Sequence, residues 1–267
     1  MKTTKNYIEI NKKSWNNRTE SHVNSEFYDM KGFLSGQNSL NEIELELLDA
    51  IKGKSILHLQ CHFGQDSISL SRLGAEVTGV DFSDQAIAYA KQISTETKNK
   101  ATFICCNIYD LPDYLDAEFD IVFTSYGTIG WLPDLNKWAG VVAKFLKPNG
   151  QFIFVEFHPV VWMFDDEFKN IAYNYFNTEA IIESEEGTYA DKTAAISQEY
   201  VMWNHPLSEV ISSLLDNNLQ ISTLKEYNYS PYNCFNNTEE IESKKFRIKH
   251  LDDKIPMVYS LSAIKTQ

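Results

Sequence analysis

One segment, residues 56–83, restricts the possible fold more than any other part of the chain. An apolar run leads into a turn that contains Gly64, a helix-like stretch follows, and a second apolar run ends at Asp81. This order is typical of a strand–helix–strand unit, in which a helix covers two parallel strands. In doubly wound sheets, ligands bind outside the carboxyl ends of such strands. The segment therefore predicts an α/β fold with a binding site beside Gly64 and Asp81.

The same alternation of apolar runs and helix-like stretches continues along most of the chain. It predicts a Rossmann-like, doubly wound and mostly parallel seven-stranded sheet with helices on its faces. The last strand is expected to be antiparallel and to pair with the strand before it. The predicted strands are residues 55–60, 76–80, 101–105, 120–125, 151–157, 219–226 and 257–264, and the predicted helices are residues 66–73, 84–94, 135–145 and 207–217.

Two segments do not follow this alternation. Residues 1–50 are predicted to form an N-terminal helical cap, because apolar residues in 42–51 recur on one helical face. A stretch rich in aromatic and acidic residues, about 159–206, is predicted to be an inserted lid. The remaining residues, 51–158 and 207–267, form the core of the predicted main domain, 51–267.

The charge balance argues against a nucleic-acid partner. The chain has 37 acidic and 24 basic side chains, a formal net charge of −13. Proteins that bind phosphate backbones need a surface rich in Lys and Arg. We therefore expect a small-molecule partner and no nucleic acid.

The amino-terminal sequence and the cysteines bear on location. Residues 1–15 contain no apolar run of the kind found in secretory signals, and no stretch is long enough to span a bilayer. We therefore expect a cytoplasmic protein without a membrane partner. The spacing of the cysteines is not that of a zinc site, so we expect reduced thiols and no metal. The oligomeric state is left open. The cysteines are Cys61, Cys105, Cys106 and Cys234.

Two classes of ligand compete for the turn at residues 60–64. A dinucleotide needs a glycine-rich turn that cradles its pyrophosphate at a helix N-terminus. This turn has one glycine, Gly64, and Asp66 stands where the pyrophosphate would lie. S-adenosylmethionine carries a sulfonium and an ammonium group against one carboxylate, so an acidic pocket suits it better. The turn therefore favours S-adenosylmethionine as the cofactor.

Several motifs, taken in order, resemble those of class I S-adenosylmethionine-dependent methyltransferases. Residues 56–64 resemble the first motif, although His58 stands at the usual acidic position. The sequences VTGVDFS and CNIYDLP resemble the second- and third-strand motifs, and residues 119–159 resemble the fourth and fifth strands with their linking helix. The resemblance covers about residues 45–160, and residues 207–265 more loosely. It is strongest to small-molecule methyltransferases of the ubiquinone-biosynthesis type.

This resemblance implies roles for individual residues. Asp81 would bind the ribose hydroxyls, and Phe82 would lie against the adenine. Asn107 would bond the adenine amine, with Ile108 on the ring, although Asn107 could equally begin a turn. The donor-binding residues predicted in this way are Gln60, Cys61, His62, Gly64, Asp66, Asp81, Phe82, Asn107, Ile108 and Ser125.

A general base is needed only where the acceptor loses a proton. The candidates follow the fourth and fifth strands, and His158 is the first choice because imidazole titrates near neutrality. Tyr126 is also predicted to be catalytic, and Ser125 and Glu156 are further candidates. The alternative for His158 is a structural role, in which it bonds the backbone of the lid.

Other aromatic and polar side chains are candidates for ligand contacts. Trp131, Trp162, Trp203 and His205 are predicted to line the acceptor pocket, although core packing would explain each of them. In the N-terminal segment, Arg18 is a candidate to meet the donor carboxylate. Trp15, His22 and Tyr28 are candidates to close over the donor.

The predicted function is transfer of a methyl group from S-adenosylmethionine to a small molecule. Two alternatives are left open by the sequence. One is a nicotinamide-dependent oxidoreductase on a similar fold, and the other is a non-catalytic protein that binds S-adenosylmethionine.

Overall fold

The computed structural model describes residues 6–177 and 179–266, so residues 1–5 of the predicted cap lie outside the described part. Its main feature is a seven-stranded sheet with the strand order β3-β2-β1-β4-β5-β11-β8. The strands are β1 (Ser55–Leu59), β2 (Glu76–Asp81), β3 (Thr102–Cys105), β4 (Phe119–Ser125), β5 (Leu146–Phe157), β8 (Leu219–Tyr227) and β11 (Val258–Lys265).

The direction of the strands confirms the predicted fold class. The five strands from β3 to β5 pair in parallel, and β11 is antiparallel to both β5 and β8. Six strands therefore run one way and β11 runs the other way. The order reverses between β1 and β4, which is the point where doubly wound sheets open a crevice at the carboxyl ends.

Helices cover both faces of the sheet. They are α4 (Gln65–Arg72), α5 (Asp84–Glu96), α6 (Leu135–Phe145) and α7 (Leu207–Asp216). On α6, Trp138 and Phe145 lie on one apolar stripe and are fully buried, and the indole of Trp138 packs on Phe152 and Phe154 of β5. Burying such stripes against the sheet fixes the layers and holds the strand ends in place.

The predicted strand at 151–157 begins earlier than expected, at Leu146. Residues 147–150, whose sequence is typical of a turn, therefore lie within β5. The pairing of β5 with β4 is irregular there, with a shift of register between Phe119 and Ile121 of β4. Asn149 there has a φ of 63°. Asparagine tolerates this left-handed conformation, which explains how a turn sequence fits inside a strand.

Three helices precede the sheet: α1 (Tyr7–Asn24), α2 (Met30–Leu34) and α3 (Glu42–Leu47). The predicted helix at 42–51 ends at Leu47 instead. Ala50 has a φ of 51° in the turn that follows, and Ile51 is buried in the core before β1 begins. The turn at Ala50 therefore directs the side chain of Ile51 into the core. A helix that continued through residue 51 would direct this side chain elsewhere.

In the residues that the structure describes, two hairpins stand outside the main sheet. The first, β6 (Ile181–Glu186) with β7 (Ser197–Met202), lies within the segment predicted to be an inserted lid. Asn11 of α1 donates to the carbonyl of Val201 at 2.7 Å and accepts from its N–H at 2.8 Å, which joins α1 to β7. The second, β9 (Thr238–Glu242) with β10 (Lys245–Ile248), was not predicted. Its first strand, β9, is exposed and charged and lacks the apolar alternation by which strands are recognised, and its second strand, β10, has only four residues.

Among the described residues, no helix is both long and apolar enough to cross a bilayer. The four cysteines are free thiols, with Cys61 and Cys106 buried.

Candidate functional site

A cavity of about 1160 Å³ opens at the carboxyl ends of β1, β2, β4 and β5. Helix α1, the β6–β7 hairpin and residues 231–236 complete its walls. Most of the residues predicted for the site line this one cavity. They are Gln60, Cys61, His62, Gly64, Asp66, Asp81, Phe82, Ser125, Tyr126, Trp131, Trp162, Trp203 and His205.

The turn after β1 has three residues in left-handed conformations. Gln60 has a φ of 54°, His62 a φ of 51° and Gly64 a φ of 81°. A Cβ atom at Gly64 would lie 2.7 Å from the ring of Phe103, so the backbone approaches this ring too closely for a side chain. Left-handed conformations cost roughly 1–2 kcal/mol for residues other than glycine, so contacts must hold the turn. One such contact is the bond from the Gln60 amide to the carbonyl of Thr128, at 2.8 Å.

Asp81 is anchored at the end of β2. Its Oδ2 accepts the backbone N–H of His62 at 2.9 Å, and its Oδ1 accepts the N–H of Ser83 at 2.8 Å. Burial raises the pKa of Asp81 to about 6, against the opposing effect of these hydrogen bonds. A carboxylate can accept about four hydrogen bonds. Asp81 therefore has acceptor capacity left for a ligand in the cavity.

Polar atoms without partners surround the same turn. Both ring nitrogens of His22, Nε2 of His62, Nε of Arg18 and Oε1 of Gln60 are buried, with no hydrogen-bond partner in the described part of the chain. Burial lowers the pKa of His22 to about 2 and that of His62 to about 3, so both imidazoles are neutral. Buried polar groups are normally bonded. Of these residues, Arg18, Gln60 and His62 line the cavity, where a polar ligand could supply the missing partners, whereas His22 lies outside the lining.

Arg18 is the buried cation of this region. Its guanidinium lies 2.8 Å from Glu185 of β6 and within 5.6 Å of the ring centres of Trp15, Trp131 and Tyr200. Its side chain is 4% exposed. A guanidinium held between rings and one carboxylate, with Nε unpaired, can still bind an anionic group of a ligand.

Tyr126 follows β4 with a φ of 47°. Its hydroxyl donates to Oε2 of Glu44 on α3 at 2.8 Å, and its N–H bonds the carbonyl of Val155 at 2.7 Å. Burial, followed by the nearby charge of Asp66, raises the pKa of Glu44 to about 7. Burial also raises the pKa of Asp66, which accepts a hydrogen bond from the hydroxyl of Ser39 at 2.6 Å. Glu44 was not predicted as a site residue, because nothing in the pattern of α3 shows that one of its acids faces β4.

Glu156, at the end of β5, organises the loop after β4. Its carboxylate accepts backbone N–H groups from Thr128 at 2.7 Å, Ile129 at 3.2 Å, Phe157 at 2.7 Å and also Gly127. The hydroxyl of Thr128 adds a bond at 2.9 Å. Burial raises the pKa of Glu156 against the opposing effect of these bonds. Because its oxygens are used by the loop, Glu156 is a structural anchor in this geometry.

Aromatic rings form part of the cavity wall. The indole of Trp131 donates to the carbonyl of Gly127 at 2.7 Å and meets Trp15 edge to face. Trp203 meets Tyr7 in the same way, and Trp162 meets Phe157. Further residues of the cavity wall were not predicted individually. The sequence indicated them only through the high aromatic content of their segments. They are Tyr173, Tyr189, Tyr200, Tyr232 and Phe235.

His205 lies at this wall but has no free ring nitrogen. Its Nε2 lies 2.7 Å from the carbonyl of Leu132 and its Nδ1 lies 3.0 Å from Glu209. This geometry supports the interpretation of His205 as a packing residue.

The structure does not bring His158 to the cavity. Its imidazole is buried, with Nε2 2.9 Å from Glu226 of β8 and Nδ1 accepting the N–H of Val160 at 3.2 Å. Desolvation lowers its pKa, although Glu226 partly opposes this. The placement corrects the expectation of a base at the site. It supports the alternative role, a histidine that bonds the adjacent backbone.

Asn107 and Ile108 also lie outside the cavity lining. The Asn107 carboxamide accepts the N–H of Tyr109 at 3.0 Å and caps the short helix at Ile108–Asp113. Ile108 is buried in the core with Leu111 and Phe119. The turn role that the sequence allowed for Asn107 is therefore the one seen in the structure.

Comparison with known proteins finds similarity to methyltransferases. Residues 57–154 match the family described as methyltransferase domain. The chain is 30% identical over 138 residues to a ubiquinone biosynthesis O-methyltransferase of Idiomarina loihiensis, covering 50% of this chain and 56% of that protein. It is 34% identical over 133 residues to an uncharacterized methyltransferase of Synechocystis, covering 49% and 60%. The matches thus span little more than half the length of these relatives.

Among solved structures, the fold is similar to that of a geranyl diphosphate C-methyltransferase from Streptomyces coelicolor. That structure contains Mg²⁺, geranyl diphosphate and S-adenosyl-L-homocysteine. The TM-score is 0.61 with 14% identity, over 98% of this chain and 99% of that one. At this identity the similarity concerns the fold.

Proposed function

We propose that this chain transfers a methyl group from S-adenosylmethionine to a small-molecule acceptor, because residues 57–154 match the family described as methyltransferase domain and the chain is similar to a ubiquinone biosynthesis O-methyltransferase. One observation carries the proposal. Asp81 is anchored at the end of β2, beside a turn whose neighbours present buried polar atoms without partners.

The residues around Asp81 fit the chemistry of this donor. Asp81 has acceptor capacity for two ribose hydroxyls, and Phe82 offers an apolar surface to the adenine. Arg18 is a partner for the carboxylate of the methionine tail, and the neutral imidazole of His62 can bond its polar groups. The unpaired atoms of these two residues lie around the turn that is predicted to receive the tail.

When bound, S-adenosylmethionine supplies a methyl group already activated by a sulfonium. The protein residues then have to align the acceptor and exclude water, effects that reach roughly 7–11 kcal/mol. Buried Asp66 and Asp81 give the pocket acidic groups suited to a cationic donor. The aromatic wall around Trp131 and Trp162 gives the acceptor an apolar surface.

The acceptor class is inferred from the cavity and the relatives. A cavity of about 1160 Å³ has room for the donor and a small molecule together. The name of the Idiomarina relative, an O-methyltransferase, favours a hydroxyl-bearing acceptor. The surplus of acidic side chains favours a protein that does not bind nucleic acid. We extend the proposal to a cytoplasmic location.

Isothermal titration calorimetry tests the proposal directly. We expect the protein to bind both S-adenosylmethionine and S-adenosylhomocysteine and not NADH. The variant Lys12→Met is a control and should bind both adenosyl ligands as the wild type does. Lys12 lies on α1 but outside the cavity lining. The proposal would be contradicted if neither S-adenosylmethionine nor S-adenosylhomocysteine bound, or if NADH bound instead.

A further inference from the structure

Two buried ionisable side chains from distant parts of the chain meet at the cavity. Tyr126 lines the cavity at the end of β4, whereas Glu44 lies behind it on α3 and is fully buried. The phenol hydroxyl donates to the Glu44 carboxylate at 2.8 Å. A phenol oxygen that donates to a carboxylate can still accept a hydrogen bond from a ligand.

We propose that Tyr126 and Glu44 form a proton relay that takes the proton of a hydroxyl acceptor during methyl transfer. Tyr126 would touch the acceptor, and Glu44 would act through Tyr126 as a positioning residue and final proton acceptor. The inference rests on the proposed function, and it specifies an acceptor that loses a proton, such as a phenol or alcohol.

The relay balances in atoms and electrons. The acceptor oxygen forms a bond to the methyl carbon while the carbon–sulfur bond breaks, and the electron pair of that bond stays on sulfur. The acceptor proton passes to the oxygen of Tyr126, and the proton of Tyr126 passes to Oε2 of Glu44. The products are a methylated oxygen, a neutral thioether and a protonated Glu44.

The surroundings of Glu44 suit this role. Its pKa of about 7 lets the carboxyl group both lose and gain a proton near neutral pH. The groups that face it are Asp66 of α4, Tyr126, Asn41 of the preceding loop, and Tyr232 of the loop before β9. Asp66 and burial raise the Glu44 pKa, while the hydrogen bonds from Tyr126 and Asn41 lower it.

A purely structural role for Glu44 must be separated from the relay. Glu44 also closes a capping box at the start of α3, in which its Oε1 accepts the backbone N–H of Asn41 at 3.3 Å. Glutamine serves equally well in a capping box. Glu44→Gln therefore preserves the cap and the side-chain volume but removes the titrating carboxylate.

Infrared difference spectroscopy of the full chain over a pH series tests the pair without turnover. We expect the band of a protonated carboxyl group to appear as the pH falls through about 7 and to be absent in Glu44→Gln. Tyr126→Phe should move the midpoint of the Glu44 titration to higher pH, because the hydrogen bond that stabilises the carboxylate is lost. Asp66→Asn should move the midpoint to lower pH, because a neighbouring negative charge is removed. A midpoint unmoved by both substitutions would overturn the relay.

Transfer of a labelled methyl group to a panel of phenols and alcohols, headed by catechol, tests the chemistry. The rate should be lost as the pH falls through about 7, and Glu44→Gln should lower kcat by about 10²–10⁴-fold and abolish this pH dependence. S-adenosylhomocysteine should bind Glu44→Gln as it binds the wild type, so failure of the relay is distinguishable from failure of donor binding. Tyr227→Phe, which removes a hydroxyl bonded to Ser260 outside the cavity, is the control. Unchanged transfer in Glu44→Gln would overturn the relay. So would absence of transfer to any hydroxyl acceptor by a wild type that binds the donor.

Discussion

The backbone N–H of His62 donates to Oδ2 of Asp81 across 2.9 Å, and this bond joins the turn after β1 to the tip of β2. It holds His62 in its left-handed conformation, with a φ of 51°, and holds the carboxylate at the cavity. The two parts of the proposed donor site are therefore not independent. A change at Asp81 affects both the ligand contact and the turn.

Asp81→Asn should weaken binding of S-adenosylhomocysteine by about 10–100-fold, because hydrogen bonds to a charged group contribute roughly 1.5–3 kcal/mol. The wild-type affinity should also fall as the pH drops through about 6, where the Asp81 carboxylate takes up a proton. Titration calorimetry on both sides of this pH measures the two effects. Equal affinities for wild type and variant at neutral pH would remove Asp81 from the donor site.

The strand ends could be predicted because their signals are local. Asp81 closes an apolar run, and the parallel arrangement of β1 and β2 brings it beside the turn with Gly64. The same reasoning placed Tyr126 after β4. Periodicity and turn residues thus gave both the sheet and the edge at which the cavity opens.

The contacts of individual side chains could not be predicted in the same way. His158 follows β5, as the sequence indicated, but its ring lies against Glu226 of β8. Glu44 is far from Tyr126 in the chain, and only the packing of α3 brings them together. A sequence pattern fixes which face of an element is buried, but it does not specify a polar partner supplied by another segment.

The role of Arg18 can be tested with two ligands that differ only in the amino-acid tail. Arg18→Met should lower the affinity for S-adenosylhomocysteine by about 10–100-fold, because a charge-assisted bond to the carboxylate is lost. Methylthioadenosine has no carboxylate, so its affinity should be unchanged. Both affinities can be measured by calorimetry. Arg18→Met also leaves the carboxylate of Glu185 without its ion-pair partner. The double variant Arg18→Met/Glu185→Gln is the control for this effect. Equal losses for both ligands would contradict a specific contact with the tail.

Glu156 should contribute to stability rather than to the reaction. In Glu156→Gln the amide nitrogen cannot accept the N–H groups that one carboxylate oxygen now holds, such as those of Thr128 and Ile129. The free energy of unfolding should fall by roughly 3 kcal/mol or more, since each bond to a charged group is worth about 1.5–3 kcal/mol. Urea denaturation measures this. Glu118→Gln, at a half-exposed surface acid, should stay within about 0.5 kcal/mol of the wild type. A similarly small change for Glu156→Gln would show that the loop is held by other contacts.

His58 should make the stability of the protein fall in acid. Its imidazole is 3% exposed and its Nδ1 lies 2.8 Å from the hydroxyl of Ser67, and burial lowers its pKa from 6.5 to about 3. As the pH falls below 6.5, the unfolded chain takes up a proton at this residue and the folded protein does not, so the unfolded state is favoured. The resulting loss is about 1.4 kcal/mol for each pH unit until the pH nears 3.

His58→Gln removes this contribution and keeps a polar side chain that can bond Ser67. The variant is expected to be less stable than the wild type at neutral pH, because the packing of the ring is lost. The difference in unfolding free energy should then shrink as the pH falls from 6.5, since only the wild type carries the cost of keeping this imidazole neutral. Urea denaturation of both proteins over a pH series measures the difference directly, and effects of other titrating groups such as His62 cancel between them. Parallel curves would show that His58 takes up its proton equally in the folded and unfolded states.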